Sequence, residues 1–492
     1  MSLKLQIRIT RQILDELKKS IQELYLSDYI PWVVGYSGGK DSTATLQLVW
    51  TAIADLSPEK RSQKEIHVIS TDTLVEQPIV AAWVNRSLTL MKVAATQQKM
   101  PIKVHRLTPD VHNSYWVNLI GRGYPVPRQG FRWCTSRLKI DPSNKFIRNM
   151  VKKYGETILV LGTRKSESSA RAATMAKYET KRTRQVLSPN GSLQNSWVFS
   201  PIEDWSSDDV WLYLMQVNNP WGISNKDLMS MYREASSDNE CPLVVDNTTP
   251  SCGNSRFGCW VCTLVSQDKS MEAMIQNDEE KIWMTPMLEF RNEIGKLDEN
   301  GKIDDHSFRD FRRMDGSIKL YESREGTIPG PYTKEYREYL LRRLLEVEKQ
   351  VQALMPSYIG EFQLVTLDEL REIRRIWVEE KFEFDDAVPR IYSEVTGRVW
   401  PENTILSNFG QEEWSILTEI TEGDSIEREM CSSLLMLTEK HTLLNRKKNI
   451  IDDIEHFIRK CYYADVEDAL EYKKQQTNLR NGSSEHIARR LK

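Results

Sequence analysis

One six-residue stretch, Ser-Gly-Gly-Lys-Asp-Ser, has the composition of a loop that binds phosphate groups. It directly follows a short apolar run at residues 31–36 and directly opens a helical stretch. Two adjacent glycines let the backbone approach a phosphate closely, and the start of a helix presents N–H groups with partial positive charge. The lysine can pair with phosphate oxygens and the serines can donate hydrogen bonds, although the spacing is not that of a Walker loop. The predicted phosphate-binding residues are Ser37, Gly38, Gly39, Lys40, Asp41 and Ser42.

Four cysteines within 22 residues form a second chemical signature, and the last two are a Cys-x-x-Cys pair. In a reducing compartment such a cluster is typical of a metal site rather than of disulfides. Four thiolates can close around one tetrahedral centre, but their spacing does not choose between zinc and a [4Fe–4S] cluster. On chemistry alone zinc is favoured, because structural four-cysteine zinc sites are common. The predicted metal ligands are Cys241, Cys252, Cys259 and Cys262.

A fifth cysteine, Cys134, lies between Arg128 and Arg132 on one side and Arg137 on the other. Neighbouring positive charges lower the pKa of a thiol and make it nucleophilic. Cys134 is therefore a predicted catalytic residue that carries persulfide sulfur. Two other interpretations, a packing residue and an alternative metal ligand, stay open.

The elements that must position these residues alternate between strands and helices. Short apolar or alternating runs predict strands at residues 31–36, 65–71, 102–107 and 157–162, and a helix at 43–54. Strands separated by helical patterns form parallel βαβ units, so we expect an α/β fold with a doubly wound, mostly parallel sheet. In such sheets ligands bind at the carboxyl ends of the strands.

Composition narrows the classes of protein further. Apolar residues make up 40% of the 492 residues and charged residues 28%, which excludes disorder as the dominant state. The net charge of −3 excludes a globally basic nucleic-acid binder, so contact with nucleic acid must come from a local patch. No apolar run is long enough to span a membrane and the start has no apolar signal core, so we expect a cytoplasmic protein with no membrane partner.

The pattern along the chain predicts four regions. Residues 1–235 form the α/β domain with the phosphate loop, and residues 236–270 form the cysteine module. Residues 271–470 are mainly helical, and residues 471–492 are a basic, flexible tail. Residues 177–195 lack periodicity and end in turn-forming residues, which predicts a mobile loop.

The phosphate loop resembles the PP-loop of ATP pyrophosphatases, which cleave ATP between the α- and β-phosphates and adenylate a substrate. The resemblance implies that the loop holds the pyrophosphate end of ATP, with Lys40 and Asp41 catalytic, and that Asp72 acts near the nucleotide or Mg²⁺. Motifs at residues 133–139, 161–171 and 200–211 are similar to the phosphoadenosine phosphosulfate reductase branch of these enzymes. There the second motif contacts phosphate or sulfate. The residues implied to bind the nucleotide in this way are Gly162, Arg164 and Arg171.

The phosphate loop, the arginine motif and the cysteine set together resemble the DndC family, which incorporates sulfur into bacterial DNA. The resemblance covers nearly the whole chain and is specific to about residue 265. It implies a [4Fe–4S] cluster on the four cysteines and a reaction that adenylates a DNA phosphate and then replaces AMP with sulfur. It also implies partners: DNA, a cysteine desulfurase as sulfur donor, a DNA-binding ATPase and a small DNA-recognition protein.

Three other functions stay open. Thiolation of tRNA uses the same loop, but it predicts an RNA-binding element that the sequence does not display. Reduction of adenylylsulfate is disfavoured because the iron–sulfur reductases have a cysteine pair where this chain has Cys134 alone. A non-enzymatic, nucleotide-sensing scaffold with zinc predicts ATP binding without pyrophosphate release.

Overall fold

The computed structural model describes residues 10–184, 186–235, 257–321, 326–360, 362–442 and 450–476. Two predicted metal ligands, Cys241 and Cys252, lie outside the described residues, as does the end of the predicted basic tail. The chain divides into two compact units. The first unit comprises Met1–Asp110 and Gln129–Arg291, and the second comprises Val111–Arg128 and Asn292–Lys492. Each unit is thus assembled from two separate stretches of chain. The predicted regions, by contrast, follow one another along the sequence.

A six-stranded sheet organises the first unit. Its strands are β1 (Trp32–Gly35), β2 (Ile66–Thr71), β3 (Ile102–Leu107), β4 (Thr157–Val160), β5 (Ser188–Pro189) and β6 (Ser196–Phe199). They lie in the order β3-β2-β1-β4-β6-β5, with β5 antiparallel to β6 and all other neighbours parallel. Trp32 of β1 pairs in register with Ile66 on one side and Ile158 on the other. The strand order reverses between β1 and β4, and this reversal forms a crevice at their carboxyl ends.

Helices surround this sheet and build the second unit. Those of the first unit are α1 (Arg11–Leu26), α2 (Lys40–Ala54), α3 (Pro58–Arg61), α4 (Pro78–Gln97), α5 (Asp141–Tyr154), α6 (Ser169–Glu179), α7 (Ser207–Gln216), α8 (Asn225–Glu234), α9 (Lys269–Asn277) and α10 (Thr285–Ile294), within which the chain enters the second unit. The later helices are α11 (Lys334–Leu354), α12 (Leu367–Arg375), α13 (Ala387–Thr396), α14 (Gln411–Ile420), α15 (Ser425–Thr442) and α16 (Ile450–Lys460).

Shorter turns of helix complete the list of elements. Three are π-helical: Val117–Gly121, Thr135–Ile140 and Ile376–Glu380. Five are 3₁₀-helical: Val111–Asn113, Lys165–Glu167, Glu279–Met284, His306–Phe308 and Ser357–Ile359. None of the described helices combines the length and the apolar composition needed to cross a membrane.

The predicted fold class, a mostly parallel α/β sheet with further helices, is confirmed. The four predicted strands are present, and the predicted helix begins three residues early, at Lys40, because the carbonyl of Gly39 already accepts a hydrogen bond from Thr43 N (3.0 Å). The predicted mobile loop at 177–195 is wrong in part. Its first residues continue α6 to Glu179, and Ser188–Pro189 form the edge strand β5. The strand β6 is absent from the prediction because its apolar run, residues 197–199, is only three residues long, shorter than the runs at β1 and β4.

The second unit has a helical core. Val378, Phe384, Leu417 and Met436 form one of its buried clusters. A capping box starts α12, with Thr366 N donating to Glu369 Oε2 (2.9 Å). Although the segment Val111–Arg128 comes from early in the chain, it belongs to this core: Trp116 is fully buried, and its Nε1 donates to the Leu364 carbonyl (2.7 Å).

Candidate functional site

A cavity of about 1300 Å³ opens at the carboxyl ends of β1, β2 and β4. It is larger than the roughly 300–1,000 Å³ of ordinary ligand sites. Helices α4 and α5 supply further parts of its wall. The predicted site residues that line it are Ser37, Gly39, Lys40, Asp41, Ser42, Asp72, Gly162, Arg164 and Arg171.

The phosphate loop takes a conformation that requires glycine at Gly38. Its φ is +77°, and a Cβ there would lie 2.4 Å from Val84 Cγ2. Trp83 Nε1 donates to the Gly38 carbonyl (3.0 Å), so α4 holds the loop from behind. The first glycine of the motif therefore shapes the loop, although it does not itself line the cavity.

The two loop serines bond to each other and to the backbone. Ser42 Oγ donates to the Gly39 carbonyl (3.0 Å) and lies 3.1 Å from Ser37 Oγ. Ser37 N donates to Ser42 Oγ (3.2 Å), which closes the loop into a compact turn. The cap residue of α2 is Gly39, which has no side chain, so the positive end of this helix borders the cavity directly.

Lys40 is the first residue of α2, and Tyr232 packs against it. The Lys40 N–H donates to Tyr232 Oη (3.3 Å), and Nζ lies 5.3 Å from the centre of the tyrosine ring. Nζ is 3.9 Å from Asp41 Oδ2. This contact is long, so Lys40 keeps donor capacity for phosphate oxygens.

The partly exposed Asp41 and the buried Arg164 form an ion pair that joins the phosphate loop to the loop after β4. Arg164 is 4% exposed, and its Nε donates to Asp41 Oδ1 (2.7 Å). Its Nη1 donates to Ser166 Oγ (2.7 Å). Gly162 makes this approach possible, because a Cβ there would lie 2.6 Å from the Asp41 carbonyl oxygen. The guanidinium of Arg164, which the sequence predicts to bind an anion, is thus hydrogen-bonded to Asp41. Through this bond Arg164 positions the start of α2.

Asp72 and Arg171 also line the cavity with partners of their own. Asp72 accepts hydrogen bonds from Leu74 N (2.8 Å) and from Arg106 Nε (3.0 Å). Arg171 donates to Glu167, one helical turn away. The carboxylates of Asp41 and Asp72 supply oxygen donors of the kind Mg²⁺ prefers, and both face the same cavity. A bound nucleotide and metal ion would displace the internal partners of these side chains.

The Cys-x-x-Cys loop is attached to the chain that leaves β2. Cys259 forms an antiparallel bridge with Glu76, and Trp260 N donates to the Val75 carbonyl (3.0 Å). Cys259 Sγ lies 3.4 Å from Thr73 Oγ1. Because Glu76 lines the cavity, this bridge fixes the cysteine loop beside it.

Arg291, on α10, holds the same loop by its carbonyl groups. Its side chain is 1% exposed, and Nη2 donates to the Cys262 carbonyl (2.9 Å). Its Nη1 donates to the Ser266 carbonyl (2.8 Å). A buried guanidinium that satisfies several carbonyls fixes a loop that has little regular structure.

The two described thiols of the predicted cluster fit a metal-binding turn. Cys262 N donates to the Cys259 carbonyl (3.0 Å), a tight turn that places both thiols on one loop. Burial raises the pKa of Cys259 to about 12, and the negative charge of Glu76 adds to this. Among the described residues no three potential ligands converge on one point. The donor chemistry of this pair suits iron or zinc, and Cys241 and Cys252 would complete the set.

Two corrections concern Cys134. The predicted low pKa is wrong, because burial raises the pKa of this thiol and outweighs the positive charge of Arg132. Arg128 belongs to the second unit, where Nη1 donates to Asp305 Oδ1 (3.1 Å). The charge of Cys262 also raises the pKa of Cys134, which places this thiol within electrostatic range of the cysteine loop.

Several residues around the cavity are missing from the sequence prediction. Lys139 Nζ lies 3.5 Å from Glu76 Oε1. Burial lowers the pKa of Lys139, but the charges of Cys259 and Glu76 have the larger combined effect, so this pKa is raised overall. Lys139 is the last residue of the motif at 133–139, so the motif could have identified it as a site residue. Tyr232, Arg106 and Arg291 have no such signal, because only the fold brings them to the site.

Comparison with known proteins identifies one family and one distant relative. Residues 31–264 match the phosphoadenosine phosphosulfate reductase domain family. An uncharacterized protein of Methanocaldococcus jannaschii is 26% identical over 284 residues, which are 57% of this chain and 46% of that protein. The chain therefore aligns with less than half of the length of this relative.

Solved structures with partial similarity include three enzymes. Phosphoadenylyl-sulfate reductase from Candida auris, in a phosphate complex, is 13% identical over 43% of this chain and 88% of its own, with a TM-score of 0.27. FMN adenylyltransferase from Candida glabrata is 13% identical over 50% and 72%, with a TM-score of 0.27. The U34-tRNA thiolase NcsA from Methanococcus maripaludis, with its [4Fe–4S] cluster, is 12% identical over 58% and 78%, with a TM-score of 0.26. Similarities this low decide nothing about substrate.

Proposed function

We propose that the protein is an ATP-using enzyme of the PP-loop type, because residues 31–264 match the phosphoadenosine phosphosulfate reductase domain family and contain the predicted phosphate loop. The proposed reaction is ATP-dependent incorporation of sulfur into the DNA backbone. The protein adenylates a non-bridging oxygen of a DNA phosphate, releases pyrophosphate, and replaces AMP with sulfur. The product is a phosphorothioate linkage.

The observation that carries this proposal is the attachment of a thiol pair to a phosphate-binding cavity. The bridge between Glu76 and Cys259 fixes the cysteine loop to the chain that leaves β2, where Asp72 and Glu76 line the cavity. Activation of a phosphate and delivery of sulfur need to occur at one place, because an adenylated phosphate is open to attack by water. A structural zinc site would not need to adjoin the phosphate loop.

In the first step the DNA phosphate oxygen attacks the α-phosphorus of ATP, and the bond to the β-phosphate oxygen breaks. The phosphate loop and Lys40 would stabilise the negative charge that develops on the leaving pyrophosphate. Asp41 and Asp72 would hold Mg²⁺ against the phosphates. The buried Arg164 keeps Asp41 in position for this role.

In the second step hydrosulfide-level sulfur attacks the DNA phosphorus, the bond to AMP breaks, and the sulfur proton passes to solvent. Adenylation is needed because a phosphate oxygen is a poor leaving group, whereas AMP is a good one. When bound, a [4Fe–4S] cluster on Cys241, Cys252, Cys259 and Cys262 would supply a site for sulfur or electrons. A cysteine desulfurase is the proposed sulfur donor. It passes sulfur on as a persulfide, and a thiol reductant, which is oxidised to a disulfide, would release this sulfur as hydrosulfide. A DNA-binding ATPase and a small DNA-recognition protein are the further proposed partners.

Three cations at the cavity support a polyanionic acceptor. The side chains of Arg106, Lys139 and Arg171 line it and are 47%, 49% and 43% exposed. Such partly exposed charges can reach the phosphates of an incoming strand. Each is paired with a carboxylate of the lining, so the phosphates of a strand would replace Asp72, Glu76 and Glu167 as partners of these cations.

The test is mass spectrometry of nuclease-digested nucleic acids from cells with the gene intact, deleted, or carrying Cys259→Ala. Phosphorothioate-linked dinucleotides in DNA should vanish in the last two strains. Cys431→Ala, which changes a cysteine far along the chain, should leave them intact. Loss of a thiolated tRNA base instead would reject DNA as the acceptor and point to tRNA thiolation. If neither nucleic acid loses sulfur, the sulfur-incorporation proposal fails.

A further inference from the structure

The second unit contains a cavity of about 210 Å³ that the proposed reaction does not use. Its lining includes eight basic and five acidic side chains, an excess of three positive charges. Charged side chains are rarely gathered around an internal space unless they are paired or bind a ligand.

Three of the acidic side chains are neutralised by buried arginines. Arg312 Nη2 lies 2.7 Å from Asp310 Oδ2 and 2.7 Å from Glu429 Oε2. Arg337 Nη1 donates to Glu383 Oε2 (3.1 Å). Arg312 is 5% exposed and Arg337 is 2% exposed, so these pairs form the fixed wall of the cavity.

The other two acidic side chains also have basic neighbours. Glu380 Oε1 accepts a hydrogen bond from Arg375 Nη2 (2.6 Å). Glu335 Oε1 lies 3.7 Å from Arg428 Nη2. No acidic side chain of the lining is therefore left to balance the remaining cations.

Three cations of the lining have no carboxylate within 4.0 Å among the described residues: Arg122, Arg313 and Lys381. Arg122 donates to the His112 carbonyl, and Arg313 Nη1 donates to the Pro329 carbonyl (3.4 Å). Lys381 makes neither an ion pair nor a side-chain hydrogen bond with any described residue. Burial lowers its pKa to about 7 and the positive charge of Arg337 adds to this, while the charges of Glu383 and Glu429 offset the decrease only in part, so a bound anion would stabilise the ammonium.

We propose that this cavity binds a phosphate group through Arg122, Arg313 and Lys381. Guanidinium groups match the geometry of phosphate oxygens, and the ammonium adds a compact charge. The volume suits one phosphate with a few waters but is below the roughly 300 Å³ at which sites for larger ligands begin. The group is therefore either free phosphate or a single phosphate of a nucleic-acid backbone.

The site can be measured by calorimetric titration of inorganic phosphate into the full chain. Mg²⁺ and AMPCPP, a non-hydrolysable analogue of ATP, are present at saturation, so that the cavity of the first unit is filled. Wild type should bind one further phosphate per chain. Lys381→Met should weaken this binding about tenfold or more, as expected for the loss of a hydrogen-bonded charge. Lys319→Met, which changes an exposed lysine of the same unit, should leave it unchanged.

If Lys381→Met does not fold, Arg313→Gln provides the second variant, since Arg313 is exposed and its loss should also weaken phosphate binding. No binding by wild type, or an equal loss in Lys319→Met, would overturn the proposal. A short DNA duplex distinguishes the sources: competition with phosphate assigns the site to a nucleic-acid backbone, and binding without competition assigns it to free phosphate. Pyrophosphate release by the same variants should be normal, so this site and the proposed reaction can fail separately.

Discussion

The cavities of the two units are lined by different parts of the protein. In the first, the phosphate-loop side of the wall is built from backbone: a loop bent at Gly38, the uncapped start of α2, and a loop that approaches closely because Gly162 has no side chain. In the second, the wall is made of long charged side chains whose positions are scattered from Arg122 to Lys460. A backbone site constrains residue types over a short stretch, so it leaves a motif. A side-chain site needs only charges that the fold brings together, so it leaves none.

The strongest test of the contrast is the removal of Lys40, the cation at the start of α2. Lys40→Ala should lower pyrophosphate release at least about a hundredfold, because it removes a donor from the developing charge. Release is measured with a coupled pyrophosphate assay. Lys145→Ala, an exposed change on α5, is the matched control and should keep full activity. Normal release in Lys40→Ala would remove the phosphate loop from the reaction.

The second test concerns the ion pairs that wall the other cavity. Arg337→Met leaves Glu383 buried without its partner, so it should lower the free energy of unfolding by about 3–5 kcal/mol. Urea denaturation measures the change. The double variant Arg337→Met, Glu383→Leu should recover most of the loss, because no charge remains uncompensated. If the single variant is as stable as wild type, buried ion pairs do not form the wall of this cavity.

A glycine substitution tests how closely the backbone packs in the first cavity. Gly162→Ala places a Cβ 2.6 Å from the Asp41 carbonyl oxygen, so it should cost about 1–3 kcal/mol of unfolding free energy and weaken ATP binding. Gly258→Ala is the comparison, because a Cβ there meets nothing within 4 Å. Thermal unfolding with and without ATP measures both effects. Equal behaviour of the two variants would contradict the close approach.

The smallest expected effect is an acid response of the sheet in the first unit. Burial lowers the pKa of His67 to about 4, and His105, whose Nε2 lies 3.0 Å from His67 Nδ1, adds to this. The unfolded chain binds a proton near pH 6.5 and the folded chain does not, so stability falls as the pH drops from 6.5 toward 4. At pH 5.5 the loss relative to pH 7.5 should be about 1.4 kcal/mol for wild type. Urea midpoints at both pH values should show a smaller difference for His67→Gln.

The same contrast explains what the sequence could predict. The four predicted strands, the helix α2 and the phosphate loop follow from local patterns: apolar runs and paired glycines. The pairing of Arg164 with Asp41 is not local, so spacing alone assigns this arginine to a ligand and misses its internal partner. Cys134 shows the same limit. Three arginines near it in sequence predict a low pKa, but burial, which depends on the whole fold, moves the pKa the other way.

The interleaved chain has a consequence for how the protein is made. Trp116 lies in the early segment Val111–Arg128, but the carbonyl that accepts its hydrogen bond, at Leu364, follows 248 residues later. At about 5–20 residues per second, a ribosome needs roughly 12–50 s to synthesise the chain between them. During that interval the segment has emerged without the helices that will cover its apolar side chains. A nascent chain of this kind is a natural client for a chaperone that shields hydrophobic surface during translation.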